Sequence, residues 1–159
     1  MNYKKSGVLM LLILSGWISL TPFNSTSPVA AVSAQNKSKE SAATFITAEE
    51  LKEKMSRNEN VTIIDVRSTD SYVRSDSTIK GAIFVKLRRL NSRLAFPPLK
   101  SVSHDSEVIT YCACPNDEAS LRAVEILSAA GFKRARALKG GWRMWLKVNG
   151  PVSARPKAG

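Results

Sequence analysis

Val108-Ile-Thr-Tyr-Cys112-Ala113-Cys114-Pro115-Asn116-Asp117-Glu118-Ala119-Ser120 contains a complete strand, loop and helix start. The apolar, β-branched run at its beginning reads as a buried strand. The run ends on a cysteine, and an amphipathic helix begins a few residues later. A thiol at that point lies at the carboxyl end of a strand, under backbone N–H groups and the positive end of a helix dipole. Such a setting lowers a thiol's pKa and holds anions, so it favours a nucleophile. The competing reading is a small buried side chain, which free cysteines often are.

Downstream, a helix is expected over 117–130, with Ala119, Ala123, Ile126, Leu127 and Ala130 on one face and Gly131 as its C-cap. A short strand at 135–138 follows. Gly140-Gly141 then opens a last helix carrying Trp142 and Trp145, which Gly150-Pro151 closes. Upstream, Thr47-Ala-Glu-Glu50 is a capping box for a helix to about Met55. Strands are expected at 61–64 and 81–85, with a short helix near 70–73 between them. Leu87, Leu90 and Leu94 recur at helical spacing before Pro97-Pro98 stops that segment. Short strands alternating with helices predict an α/β fold with a mostly parallel sheet covered on both faces. Ligands of such sheets bind beyond the carboxyl ends of the strands, where Cys112 falls.

The remaining sequence organises around that unit. Lys4 and Lys5, an apolar run over 7–20 and the small residues Ala31-Val32-Ser33-Ala34 have the layout of a secretory signal peptide over 1–34. A disordered linker is expected over 35–44, one domain over 45–153 and a flexible tail over 154–159. The expected address is outside the cytoplasm: periplasmic in a Gram-negative cell, otherwise secreted or membrane-anchored by an uncleaved signal. The 159-residue chain carries 24 Lys and Arg against 13 Asp and Glu. Without residues 1–34 the balance is 22 against 13, or +9. Lys86-Leu-Arg88-Arg89 with Arg93, and Lys133-Arg134-Ala-Arg136, are the clusters that would meet an anionic membrane surface. Aromatic side chains are scarce around them, which argues against nucleic-acid binding.

Cys112 and Cys114 are the only cysteines, and two cysteines one residue apart cannot staple distant parts of a fold. The lone histidine, His104, lies in a polar loop, so no second ligand pair is available for zinc.

Four segments, in order, resemble single-domain rhodaneses: Asp65-Val-Arg67; Thr78-Ile-Lys-Gly81-Ala82; Tyr111-Cys112 with its loop; and Gly140-Gly141-Trp142-Arg-Met-Trp145 followed by Gly150-Pro151-Val152. The resemblance covers residues 45–153. It implies a three-layer rhodanese-like α/β fold and a cysteine that carries sulfane sulfur as a persulfide. The sulfur comes from a small sulfur donor and passes to a thiol acceptor, a protein thiol included, without metal or organic cofactor. Aligned from the strand, the nucleophile is Cys112; aligned back from Gly131-Phe132, it is Cys114. The strand end favours Cys112, with Cys114 as a second thiol or the alternative nucleophile. The loop residues Ala113, Asn116, Asp117, Glu118, Ala119 and Ser120 would then surround the substrate.

Thr78 stands where the family often has histidine. Asp117 and Glu118 stand where thiosulfate-using members carry basic residues. Carboxylates near a thiolate raise its pKa and repel a dianion, which predicts poor thiosulfate use unless both point outward from the first helical turn, where Arg122 can pair with Glu118. Three other functions compete. Thiol–disulfide exchange would use the same cysteine pair, and a non-catalytic rhodanese-like binding module would use neither. Phosphate-ester hydrolysis needs Cys-x5-Arg, and Glu118 and Ser120 occupy the two positions where that arginine would fall.

Overall fold

The computed structural model describes residues 44–156, so the expected signal peptide and nearly all of the linker lie outside the described residues. The chain runs β1 (Phe45–Ile46), α1 (Ala48–Ser56), β2 (Val61–Asp65), α2 (Thr69–Val73), β3 (Ser77–Ile79), β4 (Ile83–Phe84), α3 (Leu90–Arg93), β5 (Glu107–Tyr111), α4 (Glu118–Ala129), β6 (Arg134–Leu138), α5 (Gly141–Lys147) and β7 (Val152–Ala154). Single 3-10 turns at Leu87–Arg89 and Leu99–Ser101 flank α3.

Five strands pair in the order β1-β6-β5-β2-β4, every pair parallel. All five residues of the central strand β5 are buried, which is why its sequence is a continuous apolar run rather than an alternating one. Period-2 alternation then assigns its side chains to two cores. Ile64, Val66 and Val108 pack with Leu90, Leu99, Ala123 and Leu127 on the α3–α4 side. Ile63, Ile109 and Tyr111 pack with Leu51, Ile79 and Trp145 on the α1–α5 side. Leu127 and Trp145 are fully buried, and a leucine so placed stabilises the fold by roughly 1.5–3 kcal/mol. This is the α/β architecture expected from the sequence, a mostly parallel sheet with helices on both faces.

Three strands went unanticipated. β1 is two residues long, too short to show a period. β3 and β7 pair antiparallel beside the main sheet, Ser77 with Ala154 and Ile79 with Val152. Arg155 N then donates to Asp76 O at 2.9 Å, so the ordered chain continues past residue 153. The strand expected at 81–85 shrinks to Ile83–Phe84, because Gly81 adopts a positive φ of 79° in the turn before it.

The capping box is half made. Thr47 Oγ1 accepts the Glu50 N–H at 3.1 Å, but the Glu50 carboxylate accepts from Arg136 Nη1 at 3.0 Å instead of turning back to the cap. Of the two basic clusters, Lys133 pairs with Asp105, and Arg134 and Arg136 pair with Glu107. Lys86, Arg88, Arg89 and Arg93 form no ion pair among the described residues. Among those residues, too, no helix is long and apolar enough to cross a membrane.

Candidate active site

Beyond the carboxyl end of β5 the chain leaves the sheet at Cys112, which is 1% exposed. Two bonds fix this exit. Thr110 Oγ1 donates to Ser120 O at 3.0 Å, which ties the strand to the first turn of α4. Trp142 N donates to Cys112 O at 2.8 Å, which ties the start of α5 to the same point. The second bond dictates Gly141: its φ is +49°, and a Cβ there would overlap the Cys112 carbonyl oxygen.

Asp117 precedes α4 with a left-handed φ of 54° and makes no side-chain bond to its own helix. Its Oδ2 accepts the Gly140 N–H at 2.7 Å, and its Oδ1 is buried without a hydrogen-bond partner among the described residues. Asp117 therefore does not point outward from the first helical turn, because the αL turn swings it toward the chain before α5. Glu118 is exposed in the first turn, and among the described residues it makes no ion pair with Arg122. The amino ends of α4 and α5 thus meet at the loop, and both helix dipoles favour negative charge there.

Cys112 and Cys114 are joined by a disulfide, with their Cα atoms 5.7 Å apart. The Ala119 N–H, in the first turn of α4, donates to Cys114 Sγ at 3.5 Å. Cys114 is half-buried, while Ala113, Asn116 and Glu118 are exposed. Ser120 is fully buried, its hydroxyl without a partner among the described residues. Of the loop residues singled out in the sequence, the fold brings together Cys112, Cys114, the Ala119 amide and, through Gly140, Asp117. Ala113, Asn116 and Glu118 stay on the solvent side.

Beneath the loop lies a buried polar cluster. Arg67 Nε donates to Asp65 Oδ1 at 3.0 Å and Oδ2 at 2.9 Å, and Arg67 Nη2 donates to Oδ2 at 2.6 Å. Tyr111 Oη donates to the same Oδ2 at 2.7 Å, and Thr78 Oγ1 lies 2.6 Å from the phenolic oxygen. Burial, reinforced by the Asp65 charge, pushes the Tyr111 phenol well above its ordinary range, so it stays protonated and donates. The Arg67 guanidinium carbon lies 4.7 Å from the Trp142 ring centroid, so Trp142 caps the ion pair while Trp145 fills the core. Thr78 therefore belongs to this cluster. Asp65 and Arg67 form a fully buried ion pair near the strand end.

An open crevice of about 560 Å³ lies along the loop's flank, lined by Arg67, Ser68, Lys86, Arg88 and Ala119 among others. The sequence displayed Lys86 and Arg88 as a charge cluster and Gly140-Gly141-Trp142 as a motif. Nothing in their spacing indicated that either adjoins the cysteine loop. Among the described residues no group of three His, Cys, Asp or Glu side chains is arranged to hold a metal ion.

Comparison with known proteins agrees with this fold. The rhodanese-like domain model matches residues 47–148. The Alr3790 protein of Anabaena sp. is similar in crystal structure, with 31% identity and a TM-score of 0.58 over 69% of this chain and 81% of that one. The BH2092 protein of Bacillus halodurans shows 25% identity and a TM-score of 0.64 over 81% of this chain and 88% of that one. The human single-domain sulfurtransferase TSTD1 shares the fold at 22% identity and a TM-score of 0.55, over 65% of this chain and 95% of that one. Among curated proteins no match to the chain is found.

Proposed function

From the premise that this chain belongs to the rhodanese-like domain family, we propose that it is an exported sulfurtransferase whose Cys112 takes up sulfane sulfur as a persulfide and passes it to a thiol. The observation that carries this reading is the position of Cys112. It sits at the carboxyl end of the central parallel strand, where the amino ends of α4 and α5 converge and the Trp142 N–H grips its carbonyl. A developing persulfide anion there is favoured by helix dipoles and backbone donors instead of a metal.

Donor choice follows from charge. Asp117 is turned toward Gly140, and Lys86 and Arg88 line the adjoining crevice. Lys86 and Arg88 attract a small anionic donor such as thiosulfate to that side, while Asp70 in the crevice and the buried Asp117 carboxylate beside the loop oppose it. Export rests on the amino-terminal sequence pattern, and contact with anionic lipid rests on the unpaired cations of Lys86–Arg93. The Cys112–Cys114 disulfide is the one feature that favours a second reading, thiol–disulfide exchange.

The deciding experiment weighs the intact, reduced full chain after exposure to thiosulfate or to an organic persulfide. A one-sulfur adduct that disappears in Cys112→Ser supports the proposal. An adduct lost only in Cys114→Ser moves the nucleophile to that residue. No adduct from either donor, with ready loss of two hydrogens on mild oxidation, supports thiol–disulfide exchange instead.

A further inference from the structure

We propose that Cys114 is an internal acceptor that discharges the Cys112 persulfide as sulfide, which makes the protein a dithiol-linked sulfide producer. This rests on Cys112 carrying the sulfur.

Three observations converge on Cys114. Its Sγ is bonded to Cys112 Sγ, so the loop lets it reach the inner sulfur of a Cys112 persulfide without any rearrangement of the domain. Its Sγ also accepts the Ala119 N–H at the amino end of the twelve-residue helix α4. A donor and a helix dipole aimed at the sulfur favour its thiolate, the attacking form. Finally, Cys112 is 1% exposed whereas Cys114 is half-buried, so Cys114 is the less buried residue of the pair.

The step balances within the chain. Cys114 Sγ attacks Cys112 Sγ, the Cys112–Cys114 bond forms, and the bond to the outer sulfur breaks. That sulfur leaves as hydrosulfide with the bonding electron pair, and the Cys114 thiol proton is released with it. Cys114 is oxidised from thiol to disulfide, and the sulfane sulfur is reduced to sulfide. Because the attacker is tethered two residues away, the step needs no bound acceptor and runs at high effective concentration. An external dithiol closes the cycle. Its first thiolate attacks the half-buried Cys114 sulfur and frees Cys112, and its second releases Cys114 as the dithiol becomes a disulfide. The Cys112–Cys114 disulfide of this structure is the bond that this step would form.

The test is a single turnover on the full chain. Wild type and Cys114→Ser are reduced, freed of reductant, given one equivalent of an organic persulfide, and followed by intact mass and by sulfide release. The expected result is one sulfide per wild-type chain, with a rate unchanged on dilution, and conversion to a species two hydrogens lighter than the reduced protein. Cys114→Ser accumulates the one-sulfur adduct and keeps it. A wild-type adduct that persists as long as the variant's, or equal sulfide release from Cys114→Ser, overturns the role of Cys114 and leaves sulfur transfer by Cys112 intact. If neither protein gains sulfur and no sulfide appears, the sulfurtransferase reading itself falls, and this inference with it.

Discussion

Tyr111 Oη donates to Asp65 Oδ2 at 2.7 Å between residues that are direct register partners of the parallel strands β5 and β2. The next residue along β5 is Cys112. The buried cluster of Asp65, Arg67, Thr78 and Tyr111 therefore pins the strand end from which Cys112 leaves the sheet.

Removing the hydroxyl and removing the charge should differ in cost. Tyr111→Phe deletes one charge-assisted bond while Asp65 keeps Arg67, and should cost about 1.5–3 kcal/mol. Asp65→Asn leaves the Arg67 guanidinium buried without its counter-charge and should cost roughly 3–5 kcal/mol. Urea unfolding of both variants checks the ranking. Equal losses would mean that the ion pair does not carry the cluster.

Gly141→Ala should impair sulfur loading. The added Cβ would meet the Cys112 carbonyl oxygen, which is backbone and cannot swing aside, at a positive φ that disfavours a side chain. Either the Trp142–Cys112 bond breaks or the loop moves, at a cost of about 1–3 kcal/mol. Loading followed by intact mass should slow markedly while the far-ultraviolet circular dichroism stays that of wild type. Wild-type loading would mean that the α5 start does not set the loop.

Acid should weaken the fold through Glu107, at the opposite end of β5. Burial pushes its carboxyl up, but Arg136 and Lys54 outweigh that and hold it below its ordinary value of 4.5. A depressed folded pKa means that the stabilisation is complete above the unfolded value and is lost as pH falls through the folded one. Glu107→Gln should therefore lower Tm at neutral pH, by the equivalent of about 2 kcal/mol. The gap to wild type should close as pH falls below 4.5 and through the depressed folded pKa, where the wild-type carboxyl becomes protonated. Thermal melts of both proteins across that range decide it, and a gap independent of pH would refute the ion-pair account.

Reversing charge in the crevice should discriminate among donors. Lys86→Glu with Arg88→Glu should slow loading from thiosulfate by roughly tenfold or more at low salt, with the deficit shrinking as ionic strength rises. Loading from an uncharged organic sulfur donor should change far less. Equal slowing with both donors would point to a distorted loop rather than to lost attraction.

Much of this site was legible in Val108–Ser120 because its information is local. A continuous apolar run, a cysteine at its end and a helical period after it required only neighbours in sequence to be read. The same holds for α1 and α4, whose caps and apolar faces repeat every few residues. β1 and β4, at two residues each, carry no period, and β3 with β7 acquires meaning only when the chain's end returns to Ser77–Ile79. Whether Asp117 points outward or inward was not legible, because its carboxylate is held by a partner, Gly140, that lies far along the chain.

By itself, then, the sequence determined the parallel α/β class, the strand–loop–helix around the cysteines and the resemblance carried by its motifs, since all of these rest on local periodicity and residue type. Only the tertiary structure decided that the amino ends of α4 and α5 meet at Cys112, that Lys86 and Arg88 share a crevice with Ala119, and that Cys114 is the less buried of the two cysteines. These depend on which distant backbone groups must satisfy one another's hydrogen bonds once the sheet is closed between its helices. That pairing is made in space and has no signature in the order of residues.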